Sequence, residues 1–294
     1  MDPVFDSRQV RRAFSRAAAG YDAAAALQAE VRTRLLDSLA YLDDTVPSVV
    51  LDVGSGTGHA AAAMRKRWPK AQVVAMDLAL PMLRQARRQA GWWKPFPRVC
   101  ADARALPLAD ASVDVIFSNL CLQWVEDLPG VFAGFRRVLR PGGMLLFSSF
   151  GPETLAELRE AFSVADEAPH VSPFAPISAF GDALMHAGFR DPVLDRDMFT
   201  LTYPELPALM RELRAIGATN ALSSRRRSLT GRARFAAAAA AYEGMRDGAG
   251  RLPSSWEVIY AQAWAPDPGA PIRQGGHEVA AVPLSSIPIR RRSP

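Results

Sequence analysis

The sequence predicts an α/β fold, a doubly wound and mainly parallel sheet, and three observations carry the prediction. Short apolar, β-branched runs alternate with longer helical stretches along the first half of the chain. The first strong run ends in a glycine-rich turn, Gly54-Ser55-Gly56-Thr57-Gly58, that opens onto a helical pattern. The next two runs each close on an acidic residue, Asp77 and Asp102. Alternation of this kind builds βαβ units, because parallel strands need a crossover long enough to hold a helix.

The elements follow in order. The first forty residues read as helix: Ala13, Phe14 and Ala17 recur at helical spacing. After Gly20-Tyr21-Asp22, the positions Leu27, Val31, Leu35 and Leu39 form one apolar stripe. Val49-Val50-Leu51-Asp52-Val53 is the first strand, and a helix spans 59 to 68 beyond the glycine turn. Gln72-Val73-Val74-Ala75-Met76 ends at Asp77, with a helix from about 79 to 90. Arg98-Val99-Cys100-Ala101 is a weaker strand. Val113-Asp114-Val115-Ile116-Phe117-Ser118 and Met144-Leu145-Leu146-Phe147-Ser148 are stronger ones. A helix over about 131–139 separates them, and Pro141-Gly142-Gly143 is expected to stop it.

Beyond Phe150 the rhythm loosens. A helix near 152–165 leads into a proline-broken stretch, 169–176, and another helix ends at His186. A strand covers 193–202, helical patterns span about 205–217 and 230–246, and a last strand covers 256–264. The expected division is N-terminal cap helices over 1–45 and one domain over 46–265, with helical lid insertions near 151–176 and 203–252. A loosely ordered basic tail over 266–294 completes it.

With 294 residues, 49% hydrophobic and 22% charged, the chain has ample apolar surface for a core. No run reaches the roughly 18 apolar residues of a membrane span. Met1-Asp2-Pro3-Val4-Phe5-Asp6 lacks the basic-then-apolar order of a secretory signal, so the expected location is cytoplasmic. Cys100 and Cys121 sit among apolar neighbours and read as reduced core residues. His59, His170, His186 and His277 show no i, i+3 or i, i+4 pairing, and no metal site is expected. The net charge of +5 comes almost wholly from arginine and suits an acidic partner. No nucleic-acid motif or aromatic interleaving accompanies it, and neither nucleic acid nor a membrane is the expected partner.

The glycine turn lies where open α/β sheets bind ligands. A side chain there would block a ligand's approach to the backbone, and tight turns often need positive φ. A dinucleotide loop would place its third glycine at position 59, where His59 stands. The glycine-x-glycine-x-glycine spacing instead fits the loop that binds S-adenosylmethionine. A pyrophosphate favours bare helix N–H groups, whereas a sulfonium nucleoside tolerates Asp52, whose carboxylate can face its amino group. Asp77 is placed to accept from both ribose hydroxyls, and Asp102 to reach an adenine amino group.

The run 49–149, including Leu139-Arg140-Pro141-Gly142-Gly143, resembles the class I S-adenosylmethionine-dependent methyltransferases. That resemblance implies a Rossmann-like sheet of seven strands. A narrower resemblance reaches to about Trp264. Phe14-Ser15-Arg16-Ala17-Ala18-Ala19-Gly20-Tyr21-Asp22, Leu27-Gln28 and Ser118-Asn119-Leu120-Cys121-Leu122-Gln123-Trp124 are similar to BioC, the malonyl-acyl-carrier-protein O-methyltransferase family of biotin synthesis. So are Asp166-Glu167-Ala168-Pro169-His170 and Ile216-Gly217-Ala218-Thr219. The same segments, with Pro169-His170-Val171-Ser172-Pro173-Phe174 and the extension past 264, also resemble a BioC-like arginine hydroxylase that assists assembly of respiratory complex I.

The first resemblance implies S-adenosylmethionine as co-substrate and methyl transfer to the free carboxylate of a malonyl thioester on acyl carrier protein. A carboxylate is already ionised, so the reaction needs neither a general base nor a metal. Catalysis then rests on proximity and alignment, worth about 7–11 kcal/mol. Tyr21, in the cap motif, is the first candidate for positioning the substrate in catalysis. Asn119 and Leu120, after the fourth strand, would meet the cofactor's amino-acid end; Gln123 and Trp124 would line the acceptor pocket; His170 would meet the substrate. Arg211, Arg214, Arg225, Arg226, Arg227, Arg232 and Arg234 cluster before the last strand and would steer an acidic carrier protein. The second resemblance implies either hydroxylation, with no methyl donor consumed, or an assembly factor without turnover.

Overall fold

The computed structural model describes residues 4–42, 46–92, 95–225 and 231–267, and the backbone of two short strands, Ile272–Gln274 and His277–Val279, that pair as an antiparallel ribbon. Seven strands form the main sheet: β1 (Val49–Val53), β2 (Gln72–Asp77), β3 (Arg98–Cys100), β4 (Val113–Ser118), β5 (Leu139–Phe150), β6 (Arg190–Tyr203) and β7 (Leu252–Trp264). Their order is β3-β2-β1-β4-β5-β7-β6. Strands β1 to β5 pair in parallel, and β7 runs antiparallel to both β5 and β6. The expected seven-stranded, doubly wound sheet is therefore present. Val50, Leu51 and Val53 are buried because helices cover both faces, as β-branched parallel strands require.

The helices are α1 (Ser7–Ala17), α2 (Tyr21–Ala24), α3 (Ala26–Asp37), α4 (His59–Arg67), α5 (Leu80–Ala86), α6 (Leu128–Val138), α7 (Ala156–Ser163), α8 (Ile177–His186), α9 (Leu206–Ala215) and α10 (Arg232–Glu243). Asp6 caps α1 by accepting from the Gln9 N–H, and Asp127 caps α6 through the Gly130 N–H at 2.9 Å. One apolar layer sets α6 and α8 against the sheet, with Phe132, Phe147 and Phe180 at its centre. The opposite layer packs α4, α5 and the end of α3, with Met64, Leu35 and Leu39 buried. The stripe of Leu27, Val31, Leu35 and Leu39 lies inward along its whole length.

A third core unites the two insertions. Leu158 and Phe162 of α7, Leu206 and Leu209 of α9, and Ala238 and Tyr242 of α10 pack with Leu27 and Val31 of α3. The N-terminus is sewn to the same unit: Phe5 bridges Leu222, the Asp6 N–H donates to the Ala221 carbonyl, and the Ser223 N–H donates to the Val4 carbonyl, both at 2.8 Å.

One expectation needs correction. Pro141-Gly142-Gly143 does not stop a helix; α6 ends at Val138 and the tripeptide lies inside β5. Leu139 pairs with Val113 and Met144 with Val115, so the tripeptide bulges out of the ladder, with Gly142 at φ +70. Most of the expected loose tail lies outside the described residues, and the part that is described forms the small ribbon. No described helix is long and apolar enough to cross a membrane.

Candidate active site

The strand order reverses between β1 and β4, the point where an open sheet leaves a crevice at its carboxyl ends. Two cavities open there side by side. The first runs past Asp77, Met82, Asp102 and Trp124; the second runs past Arg32, Asp52, Ser55 and Thr57. They meet at four shared residues, Tyr21, Gly54, Gly56 and Asn119.

The loop between β1 and α4 bends through three glycines at positive φ: Gly54 at +70, Gly56 at +52 and Gly58 at +84. A Cβ on Gly54 would lie 2.5 Å from both Cβ and Sγ of Cys121. A Cβ on Gly56 would meet nothing within 4 Å, because the backbone there borders open cavity. Asp77 braces the loop. Its Oδ2 accepts from the Gly56 N–H at 2.9 Å and its Oδ1 from the Ala79 N–H at 2.7 Å. Burial raises the Asp77 pKa to about 6 against the pull of these two donors.

Asp52 sits on β1 at 1% exposure, and its Oδ2 has no hydrogen-bond partner. Burial pushes its pKa up to about 7, opposed by the Ala61 N–H. Asp102 lies at the first cavity in a fork with Arg104, whose guanidinium holds it below the usual carboxylate range. Tyr21 faces both cavities. Burial, and then the nearby Asp77 and Asp22, drive its phenol pKa upward, so it remains a neutral O–H donor.

After β4 the chain turns through Leu120 at φ +48, a left-handed position rarely taken by a non-glycine residue. Ser148 on β5 supports this turn: its hydroxyl donates to Asn119 Oδ1 at 3.0 Å and accepts from the Leu120 N–H at 3.1 Å. Asn119 Nδ2 donates to the Gln28 carbonyl at 3.2 Å, tying the turn to α3. Trp124 lines the first cavity, edge-on to Phe5 and Phe14 at 5.9 and 5.6 Å, with its indole N–H buried and unpartnered.

Two of the expected acceptor contacts are not brought together with the rest. Gln123 lines neither cavity; its amide nitrogen folds back onto the Leu120 carbonyl at 2.7 Å. His170 stands between α7 and α8, stacked on Phe162 at 4.1 Å between ring centroids and hydrogen-bonded to Asp166 at 2.8 Å. Both side chains hold local geometry. The arginine cluster is likewise partly engaged: Arg211 pairs with Glu205, Arg225 with Asp6 and Arg234 with Asp166. Arg214 and Arg232 are exposed, while Arg226 and Arg227 lie outside the described residues.

Some groups at the site carried no functional signal in the sequence. Asp22 latches α2 to the glycine loop through Thr57 Oγ1 at 2.5 Å and His59 Nε2 at 3.1 Å. Ser148 and Arg32 also escaped notice. Arg32 stands one helical turn after Gln28, and that i, i+4 spacing was the available clue. Among the described residues no group of acidic, His and Cys side chains forms a metal site.

The residues present fit a sulfonium nucleoside. The open space at Gly56 admits a ligand against the backbone, Asp77 offers an acceptor at the end of β2, and the unpartnered Asp52 oxygen suits an ammonium group.

Comparisons with known proteins agree. A family model described as a methyltransferase domain matches residues 51–147. The malonyl-acyl-carrier-protein O-methyltransferase of Xylella fastidiosa is 64% identical over 293 residues, covering 100% of this chain and 99% of that one. The enzyme of the same description from Gallionella capsiferriformans is 44% identical, covering 90% and 93%. The crystal structure of the Bacillus halodurans protein BH2331 matches with a TM-score of 0.55 at 19% identity, over 80% of this chain and 99% of that chain, which supports the fold alone.

Proposed function

The chain belongs to the malonyl-acyl-carrier-protein O-methyltransferases, and from that premise we propose how its own residues perform the reaction. It is an S-adenosylmethionine-dependent enzyme that methylates the free carboxylate of malonyl-acyl carrier protein. The Xylella relative spans essentially the whole chain, so the extension past 264 is no departure from this family. The hydroxylase and assembly-factor readings lose that support.

The single observation that carries the residue assignments is the meeting of the two cavities at Tyr21, Gly54, Gly56 and Asn119. When bound, S-adenosylmethionine supplies an electrophilic methyl group on sulfur. The first cavity suits its adenosine half, with Asp77 accepting from the ribose hydroxyls and Asp102 facing the adenine amino group. The second suits its amino-acid half, with Asp52 facing the ammonium and Asn119 supplying part of the wall, while Leu120 lines the first. The reacting centre then falls at the junction, beneath Tyr21. Its neutral O–H donates to the acceptor carboxylate and aims one oxygen along the line of displacement. Trp124 closes the apolar side, and the lid of α7, α9 and α10 shuts out water. The carrier protein is the partner, and the product serves an early step toward the pimeloyl moiety of biotin.

The experiment is direct. Purified protein with S-adenosylmethionine should add one methyl group to malonyl-acyl carrier protein, read from the carrier's mass, and none to acetyl-acyl carrier protein. No gain with cofactor binding intact would overturn the reading. Tyr21→Phe should lower kcat by about a hundredfold through misalignment while cofactor affinity stays near wild type. A wild-type kcat would remove Tyr21 from the site.

The raised pKa values of Asp52 and Asp77 give opposite pH trends for fold and cofactor. A carboxyl more readily protonated when folded stabilises the chain at low pH. That contribution is lost as pH rises through about 6 for Asp77 and about 7 for Asp52. A facing ammonium favours the ionised Asp52. The unliganded Tm should therefore fall across this window while the Tm increase caused by S-adenosylmethionine grows. A ligand-induced increase that stays flat from pH 5 to 8 would take Asp52 out of the ammonium contact.

A further inference from the structure

We propose that Arg32 binds the carboxylate of the cofactor's amino-acid end, making the second cavity, with Asp52, a site for a zwitterion. The inference rests on S-adenosylmethionine occupying the two cavities as assigned above.

Arg32 lies on α3, partly buried, and its side chain lines the second cavity beside Gln28 and Asp52. Among the described residues it makes no hydrogen bond and no ion pair within 4 Å. The acids nearest to it make no ion pair with it. Both Asp22 oxygens are taken by Thr57 and His59, and Asp52 is almost fully buried on the strand beneath. Its neighbour on the helix, Arg34, is satisfied by Glu30 and Asp197 at 2.8 and 2.7 Å, so the contrast lies within one turn.

A partly desolvated guanidinium without a partner is costly to keep, and a carboxylate ligand removes that cost through paired N–H donors. Burial draws the Arg32 pKa downward, with Asp22, Tyr21 and Asp52 pulling the other way. The second cavity is thus lined by one cation and by an aspartate with one unpartnered oxygen. An α-amino acid end is the complement: its ammonium meets Asp52 and its carboxylate meets Arg32. A neutral thioether nucleoside uses only the first cavity and is indifferent to Arg32.

The test separates the ligand's carboxylate from everything else. Calorimetry would compare S-adenosylmethionine, its decarboxylated analogue and 5′-methylthioadenosine on wild type, Arg32→Ala and Arg32→Met. The wild type should bind S-adenosylmethionine about tenfold to a hundredfold more tightly than the decarboxylated analogue. Arg32→Ala and Arg32→Met should both erase that preference while leaving the affinities of the other two ligands unchanged. Arg32→Met keeps the bulk of the stem, and thermal melting checks that each variant folds. A preference that survives in either variant overturns the proposal. So does an equal loss for all three ligands, which would make Arg32 a structural counter-charge to Asp52. If the wild type binds none of the three, the cofactor assignment itself falls, and the outcome is not confused with a failed Arg32 role.

Discussion

Gly54→Ala is expected to cost the fold about 2–5 kcal/mol, whereas Gly56→Ala costs about 1–2 kcal/mol and abolishes cofactor binding. Both residues sit at positive φ in one loop, so backbone strain alone would make them alike. Their surroundings separate them. A methyl group on Gly54 would drive into Cys121, whose Cβ is anchored to the backbone just after the strained Leu120 and cannot swing away. A methyl group on Gly56 meets no protein atom and protrudes into the space the cofactor needs. Urea midpoints should therefore drop far more for Gly54→Ala, and titration calorimetry should show no heat of binding for Gly56→Ala. Equal midpoints for the two variants, or cofactor binding by Gly56→Ala, would contradict the geometry. Cys121→Gly in the Gly54→Ala background should recover part of the lost stability, because it removes the clash and leaves only the strain.

Asp77→Ala should weaken S-adenosylmethionine binding by about 1–3 kcal/mol, roughly fivefold to more than a hundredfold. The carboxylate has two duties. It accepts from the Gly56 and Ala79 N–H groups, fixing the glycine loop against β2, and its remaining lone pairs face the cavity that suits the ribose. Alanine removes both, so the unliganded Tm should fall together with the affinity. Asp77→Asn is the informative partner. It keeps one acceptor for a loop N–H and should recover Tm more fully than affinity. If affinity is unchanged in Asp77→Ala, the ribose assignment is wrong.

The parts of this molecule that follow a repeating pattern were readable before any coordinates. Period and composition located all seven strands; Val49–Val53 and Val113–Ser118 are plainest, being largely buried and interrupted only by Asp52 and Asp114. The glycine loop, Asp77 and Asp102 were equally plain, since each stands at the end of its strand. What escaped was tertiary. Pro141-Gly142-Gly143 carries the local chemistry of a stop, yet β4 and β7 flank it and draw it into β5 as a bulge. Gln123 and His170 belong to segments that resemble the family's site, but resemblance does not fix where a side chain turns. One folds onto Leu120, the other onto Phe162. Ser148 matters only through Asn119, distant in sequence, and the i, i+4 relation of Arg32 to Gln28 gives no hint of Asp52.

The rung at which β6 leaves the sheet and β7 enters it is one and the same, Tyr203 opposite Leu252. Everything between those residues, including α9 and α10, is in topological terms the loop of a single hairpin. Its ends are pinned a strand spacing apart whatever lies between them. The entropy of closing such a loop grows only slowly with its length. Exposed residues gained or lost inside this excursion therefore add little to the cost of closing β6 on β7. The excursion is in this sense a side branch of the sheet: the crevice between β1 and β4 is built from chain that precedes it.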